Sequence, residues 1–127
     1  MARQLVSTGG PWEGTIGYSR AVRVGASVSV SGSTAMTSSG LIGKEDPYQQ
    51  TIQTLKTIEA ALQQAGASLT DVVRTRIYMA NIDQWQEVGR AHGEVFGTIR
   101  PATTMVEVKR LIDPDMLVEI EADAVIG

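Results

Sequence analysis

The segment that most constrains this 127-residue chain is its last strand-forming stretch. From Val118 to Val125 the residues alternate without a break, with Val118, Ile120, Ala122 and Ala124 on one side and Glu119, Glu121 and Asp123 on the other. A period of two is that of a β-strand with one apolar and one polar face. The apolar side is suited to packing under helices. The other side lines up three carboxylates, and like charges along a sheet are destabilising unless cations or a ligand answer them. The acidic face therefore predicts a partner, structural or chemical.

The remaining elements supply what such a strand needs. Valines alternate with polar residues over 20–24 and 27–31 around Gly25-Ala26, which predicts a hairpin with a two-residue turn. A short strand is expected over 4–7 within an irregular arm reaching Gly17, and 32–44, rich in Gly, Ser and Thr, reads as a loop. Asp46, Pro47 and Gln49 form a helix start of the capping-box type. Tyr48, Ile52, Leu55, Ile58, Leu62 and Ala65 make that helix's apolar stripe, and Gly66 its stop. Val72 to Met79 alternates as a strand, with Val73, Thr75, Ile77 and Met79 opposite Val72, Arg74, Arg76 and Tyr78. Asp83 and Gln86 predict a second capping box, opening a helix whose Trp85, Val88, His92, Val95 and Phe96 share a face and which Gly97 ends. A strand over 102–110 and a turn at Pro114-Asp115 lead into the acidic strand.

The order β-β-α-β-α-β-β predicts an α+β layer, two helices covering one face of a mixed sheet. Arg74, Arg76, Glu119 and Glu121 belong on the uncovered face. A bare face that mixes valine and methionine with charge predicts a homo-oligomer.

Composition narrows the function. The length suits one domain over 1–127 with one core. No stretch is apolar enough to span a bilayer, and the first residues carry neither secretion nor transit signals, so a cytoplasmic protein is expected. A net charge of −3, with eleven scattered cations, argues against nucleic-acid binding. Zero cysteines remove disulfides and thiolate sites, and a single histidine leaves no zinc-binding spacing.

Several groups have two readings. Glu119, Glu121 and Asp123 are either ion-pair partners of Arg74, Arg76, Lys109 and Arg110, or include a general acid/base in a cleft. His92 lies on an apolar side and reads as a packed histidine. Trp12 and Trp85 are core or interface aromatics, or stacking surfaces for a ligand. Arg100, Thr103 and Thr104 form an anion site or simply begin a strand. Tyr18 is a loop anchor or a hydroxyl donor to a ligand.

Five stretches together resemble the Rid family, the reactive intermediate deaminases, also called YjgF-like proteins and labelled L-PSP endoribonucleases. They are Gly17-Tyr18; Val30-Ser31-Gly32; Ala65-Gly66-Ala67-Ser68 before Asp71-Val72-Val73-Arg74-Thr75; Arg100-Pro101-Ala102 with Val106-Glu107-Val108; and Val118-Glu119-Ile120-Glu121-Ala122. The resemblance implies a chorismate-mutase-like fold assembled as a homotrimeric barrel, with helices outside and small-molecule clefts between subunits. It also implies water attack on an enamine or imine, releasing ammonium without metal or organic cofactor. By the same resemblance Glu119 positions water, Tyr18 completes the pocket, and Ser31 and Gly32 form its wall.

The chain departs from the family pattern where the substrate's carboxylate is held. Thr103 stands in place of the clamping arginine, Met105 in place of a frequent cysteine and Gly89 in place of an asparagine. Arg100 and Arg20 are the cations that could take over acid recognition. Two functions are therefore expected: a Rid-type hydrolase or deaminase with an atypical substrate, using Glu119, Tyr18, Thr103 and Thr104, or a small-molecule-binding trimer without catalysis. The acidic charge disfavours a third, the ribonuclease activity attached to some relatives.

Overall fold

Residues 2–127 are described by the structure, a computed structural model. The elements follow as β1 (Arg3–Val6), β2 (Ala21–Val24), β3 (Ser27–Ser33), β4 (Met36–Thr37), β5 (Gly40–Leu41), α1 (Pro47–Gln64), β6 (Val72–Met79), α2 (Trp85–Phe96), β7 (Ala102–Glu107) and β8 (Val118–Val125). Six strands form one sheet in the order β1-β2-β3-β8-β6-β7, and β4 with β5 makes a separate ribbon. β6 and β7 run parallel, joined through α2, while the other pairs of the sheet are antiparallel. The α+β architecture is the expected one, and the acidic strand sits near the middle of the sheet.

β8 takes that place because its apolar side is the one the helices need. Val118, Ile120, Ala122 and Ala124 are buried in one cluster with Val28, Val30, Ile77 and Met79 of the sheet and Leu55, Ile58 and Leu62 of α1. Enclosing each of the valine, leucine, isoleucine and methionine side chains contributes about 1.5 to 3 kcal/mol. α1 starts as its residues dictate, with Asp46 accepting from the Gln49 amide at 3.0 Å, and stops at Gly66, whose φ of +85° is the left-handed turn glycine tolerates. Its buried face is more polar than the apolar stripe suggests. Gln50, Thr51 and Thr54 are fully enclosed, and both threonine hydroxyls donate back to carbonyls four residues earlier. Gln50 also ties down the approach to β8, its Nε2 donating to Asp115 O at 2.9 Å and its Oε1 accepting from Leu117 N at 2.8 Å.

Local physics overrides the expectation at several points. The stretch 32–44 is no simple loop: β3 continues to Ser33 and the β4–β5 ribbon follows, because β8 extends past Val30 and Ser33 pairs with Ile120. The irregular arm contains one π-helical turn, Glu13–Gly17. The Asp83 capping box does not form; Asn81 caps a 3-10 turn, Ile82–Gln84, and α2 begins only at Trp85. Trp85 therefore occupies an exposed first position, not the apolar face of α2. α2 ends at Phe96 with Gly97 as its cap, as expected, but Gly97 keeps a right-handed conformation and the left-handed residue is Arg100, φ +56°. A register shift between Val72 and Arg74 buries Val72 and exposes Val73, the inverse of the simple alternation at that end. β7 stops at Glu107, three residues short of the expected end.

Candidate active site

β8 delivers Glu119, Glu121 and Asp123 to the face away from the helices, and the sheet treats them differently. Arg76 lies opposite Glu121, and its Nη1 is 3.5 Å from Glu121 Oε1 and 3.1 Å from Asp123 Oδ2. Tyr78 donates its hydroxyl to Glu121 Oε1 at 2.7 Å, and that bond holds the phenol above its usual pKa. Lys109 and Arg110, expected as further partners, lie exposed beyond β7. Neither they nor Arg74 forms an ion pair among the described residues.

Glu119 has no hydrogen bond or ion pair among the described residues. It is half-buried. Loss of surrounding water pushes its carboxyl above the usual pKa, with Arg20 opposing the shift and Glu121 adding to it. A carboxyl moved in that direction is suited to general acid–base work.

Space for Glu119 comes from an irregularity in β3. Between Val30 and Ser33 the register against β8 shifts, leaving Ser31 and Gly32 in a bulge. A Cβ on Gly32 would overlap Glu119 Oε2 and come within 3.0 Å of its Cδ, so the carboxyl group rests where a side chain is missing. Arg20 holds the bulge from the other side. Its Nη1 donates to Gly32 O at 2.7 Å, to Ser33 Oγ at 3.0 Å and, more weakly, to Ser31 O at 3.4 Å. Ser31 Oγ donates to Ser19 O at 2.6 Å, and the Arg20 guanidinium carbon lies 5.6 Å from the Tyr18 ring centroid. Tyr18, Arg20, Ser31, Gly32 and Glu119 thus form one connected patch.

The N-terminal arm sets Tyr18 in place. Glu13 is buried, accepts from the Thr8 and Gly10 amides and the Thr8 hydroxyl, and takes the Tyr18 amide on its backbone carbonyl at 2.9 Å. A hydrogen bond from Ser7, followed by those amides, holds its carboxyl below the usual carboxylate range. Glycine-rich sequence around a lone glutamate was the available signal for this anchor.

The other candidates lie elsewhere in the single chain. β6 stands between β8 and β7, so Thr103, Thr104 and Met105 are separated from Glu119 by a strand. Thr103 is in register with Thr75, and their hydroxyls meet at 2.8 Å. Thr103 also donates to Pro101 O at 3.2 Å, and Thr75 is 2.9 Å from His92 Nε2. With the Thr103 proton on Pro101 O, Thr75 donates to Thr103 and His92 Nε2 carries a proton. Burial lowers the His92 pKa, and its ring packs 4.7 Å from Phe96, in keeping with a packed histidine. Met105 packs against the core, whereas Thr104, beside Arg76, shares the Glu119 face. Arg100 and Trp85 are exposed at the two ends of the α2 segment. Among the described residues no three His, Asp or Glu side chains cluster as a metal site requires, and no helix is long and apolar enough to cross a membrane.

Comparison with known proteins agrees with this architecture. Residues 13–126 match the family described as Endoribonuclease L-PSP. An uncharacterized protein of Streptomyces coelicolor is 40% identical, covering 99% of this chain and 94% of its own. The human 2-iminobutanoate/2-iminopropanoate deaminase is 32% identical, covering 100% of this chain and 93% of its own. Among solved structures, Rv2704 of Mycobacterium tuberculosis, a member of the YjgF/YER057c/UK114 family, superposes with a TM-score of 0.90 at 52% identity over 98% of this chain and all of that one. The chain belongs to this YjgF-like, L-PSP-labelled family, the Rid family.

Proposed function

We propose that the protein is a Rid-type hydrolase that deaminates small enamines or imines without metal or organic cofactor. It works in the cytoplasm, in clefts between the subunits of a homotrimer. The observation that carries this reading is Glu119, the carboxylate of β8 that forms no ion pair or hydrogen bond among the described residues, lying half-buried above a glycine with its pKa raised. The kinship with the human imine deaminase supports the reaction class.

In the proposed reaction Glu119 takes a proton from water as the oxygen bonds to the imine carbon. It then returns the proton to the nitrogen of the tetrahedral carbinolamine. A second proton then passes from the carbinolamine hydroxyl through Glu119 to the nitrogen as the carbon–nitrogen bond breaks, releasing ammonia and a carbonyl compound. Tyr18 orients the substrate, and Ser31 and Gly32 form the wall. Thr103, Thr104, Met105, Arg100 and Trp85 reach the same cleft from a second copy, which accounts for their distance from Glu119 within one chain. The exposed Val106 on the edge strand and Val73 and Val125 elsewhere support burial against such copies.

Glu119→Gln tests this directly. Turnover of freshly generated 2-iminobutanoate should fall by at least a hundredfold while light scattering still reports a trimer. Wild-type turnover in that variant, or a monomeric wild type, rejects the mechanism. Thr103, whose hydroxyl is already engaged by Thr75 and Pro101, motivates the second reading: a trimer that binds small molecules without catalysis. Saturable thermal stabilisation by imine-derived ketones, without hydrolysis of any imine tried, would favour it.

A further inference from the structure

Arg20 is a cation whose charge acts on the Glu119 carboxylate, and its side of the sheet follows from parity. Ala21 is fully buried beneath the helices and pairs with Val30. Arg20 therefore projects to the opposite face, which carries Glu119. Arg20 and Glu119 meet the same residue: Arg20 binds the carbonyl of Gly32, and Glu119 covers the site of its missing Cβ.

The guanidinium is only half engaged. Nη1 is held by Gly32 O, Ser33 Oγ and Ser31 O, while Nε donates to nothing and Nη2 donates to nothing among the described residues. Nor does Arg20 form an ion pair among them. A guanidinium offers two bidentate edges, and the bulge occupies the one that includes Nη1. The Nε/Nη2 edge remains, with two parallel N–H donors at the spacing of carboxylate oxygens. Three contacts from Nη1 and the Tyr18 ring beside the guanidinium fix its orientation, so little conformational freedom is lost when a ligand docks. Thr103 offers no charge, and its hydroxyl is already bonded.

We propose that Arg20 is the substrate-carboxylate clamp of this chain, its Nε/Nη2 edge binding the acid group while its Nη1 holds the bulge. The inference rests on the reading of the Glu119 patch as a ligand site and names its substrate class: a small imine or enamine bearing one carboxylate. A dianionic phosphate fits poorly, because the single clamp stands beside the Glu119 carboxyl.

The test compares binding of 2-oxobutanoate, a product-like acid, with its neutral amide, 2-oxobutanamide, to the full chain by calorimetry. Arg20→Gln should weaken the acid roughly thirtyfold more than the amide and Arg20→Lys about tenfold more, the smaller loss common to both ligands reflecting the Nη1 contacts to the bulge. The Arg20 Nε resonance of the wild type should shift on adding acid and not on adding amide. Ligand-free melting checks each variant's fold; if Arg20→Gln unfolds, Arg20→Lys and the resonance carry the test. Equal losses for acid and amide, undiminished acid binding in Arg20→Gln, a loss seen with Arg100→Gln instead, or no acid binding by the wild type would each overturn the clamp. Because binding is read without turnover, an inert protein that binds acid through Arg20 upholds the clamp and rejects the deaminase.

Discussion

Glu119 and Glu121 stand two residues apart on one face of one strand, yet they have opposite surroundings. Glu121 lies between Arg76 and the Tyr78 hydroxyl, a closed ion-pair and hydrogen-bond network. Glu119 lies over a glycine with no partner among the described residues, and burial raises its pKa. The first arrangement consumes a carboxylate's capacity to react, and the second preserves it. Identical chemistry on one strand thus divides into a paired carboxylate and an unpaired one, according to whether the neighbouring strand offers a cation or a gap.

The largest expected effect comes from removing Glu119, the proposed base. Glu119→Gln should lose turnover by a hundredfold or more, whereas Glu121→Gln should stay within severalfold of wild type; equal losses on the imine assay would erase the distinction. Stability should move the other way. Since the folded-state pKa of Glu119 lies above the ordinary 4.5, the folded protein holds the extra proton between those values. Wild-type stability therefore declines as pH rises through that window, and the ionised form carries the cost above it. Glu119→Gln should be the more stable protein at pH 8 in urea melts, with the advantage gone below pH 4.

Filling the gap is the next test. Gly32→Ala places a methyl on Glu119 Oε2, so the carboxyl must swing aside; as the free end of a flexible side chain it does so at no more than about 1 kcal/mol, while turnover should fall about tenfold or more. Native-like kinetics in this variant would mean that the bulge is not what holds Glu119. Opening the closed network should matter less. Arg76→Met removes both ion pairs at a partly exposed site and should cost no more than about 1 kcal/mol, read as a shift in the urea midpoint with little change in turnover.

The smallest effect concerns His92. Its folded pKa lies below the ordinary 6.5, so the unfolded chain takes up the proton first. Stability is complete above that value and falls as pH drops through the window beneath it. His92→Gln should lack this component of the pH–stability curve; an unchanged slope would exclude His92 as its source.

Much of the fold was legible because periodicity reports burial directly. The alternation of β8, the Gly25-Ala26 turn and the Asp46-Pro47 start of α1 all appear where local pattern demands them. The misreadings fall where a distant strand changes the outcome. Gly32 and Ser33 look like a loop, but β8 recruits them as an extended, bulged continuation of β3. Lys109 and Arg110 looked like partners for the acidic face, but pairing with β6 ends at Glu107 and leaves them outside. Of the candidate site, Glu119, Tyr18, Ser31 and Gly32 come together in one chain, while Thr103 turns toward Thr75 and His92. Buried Glu13 and Gln50, which position Tyr18 and the approach to β8, carried no periodic signal because their work is done by polar atoms with remote partners.

The sequence by itself determined that β8 has one apolar and one acidic side, since alternation along an extended chain follows from backbone geometry alone. Which of its carboxylates would remain available was a matter of register between strands far apart in the chain. That register set Arg76 and Tyr78 around Glu121 and brought the Gly32 gap under Glu119. Only the tertiary structure decided it, because a carboxylate's reactivity depends on what stands across from it, and no local pattern encodes that.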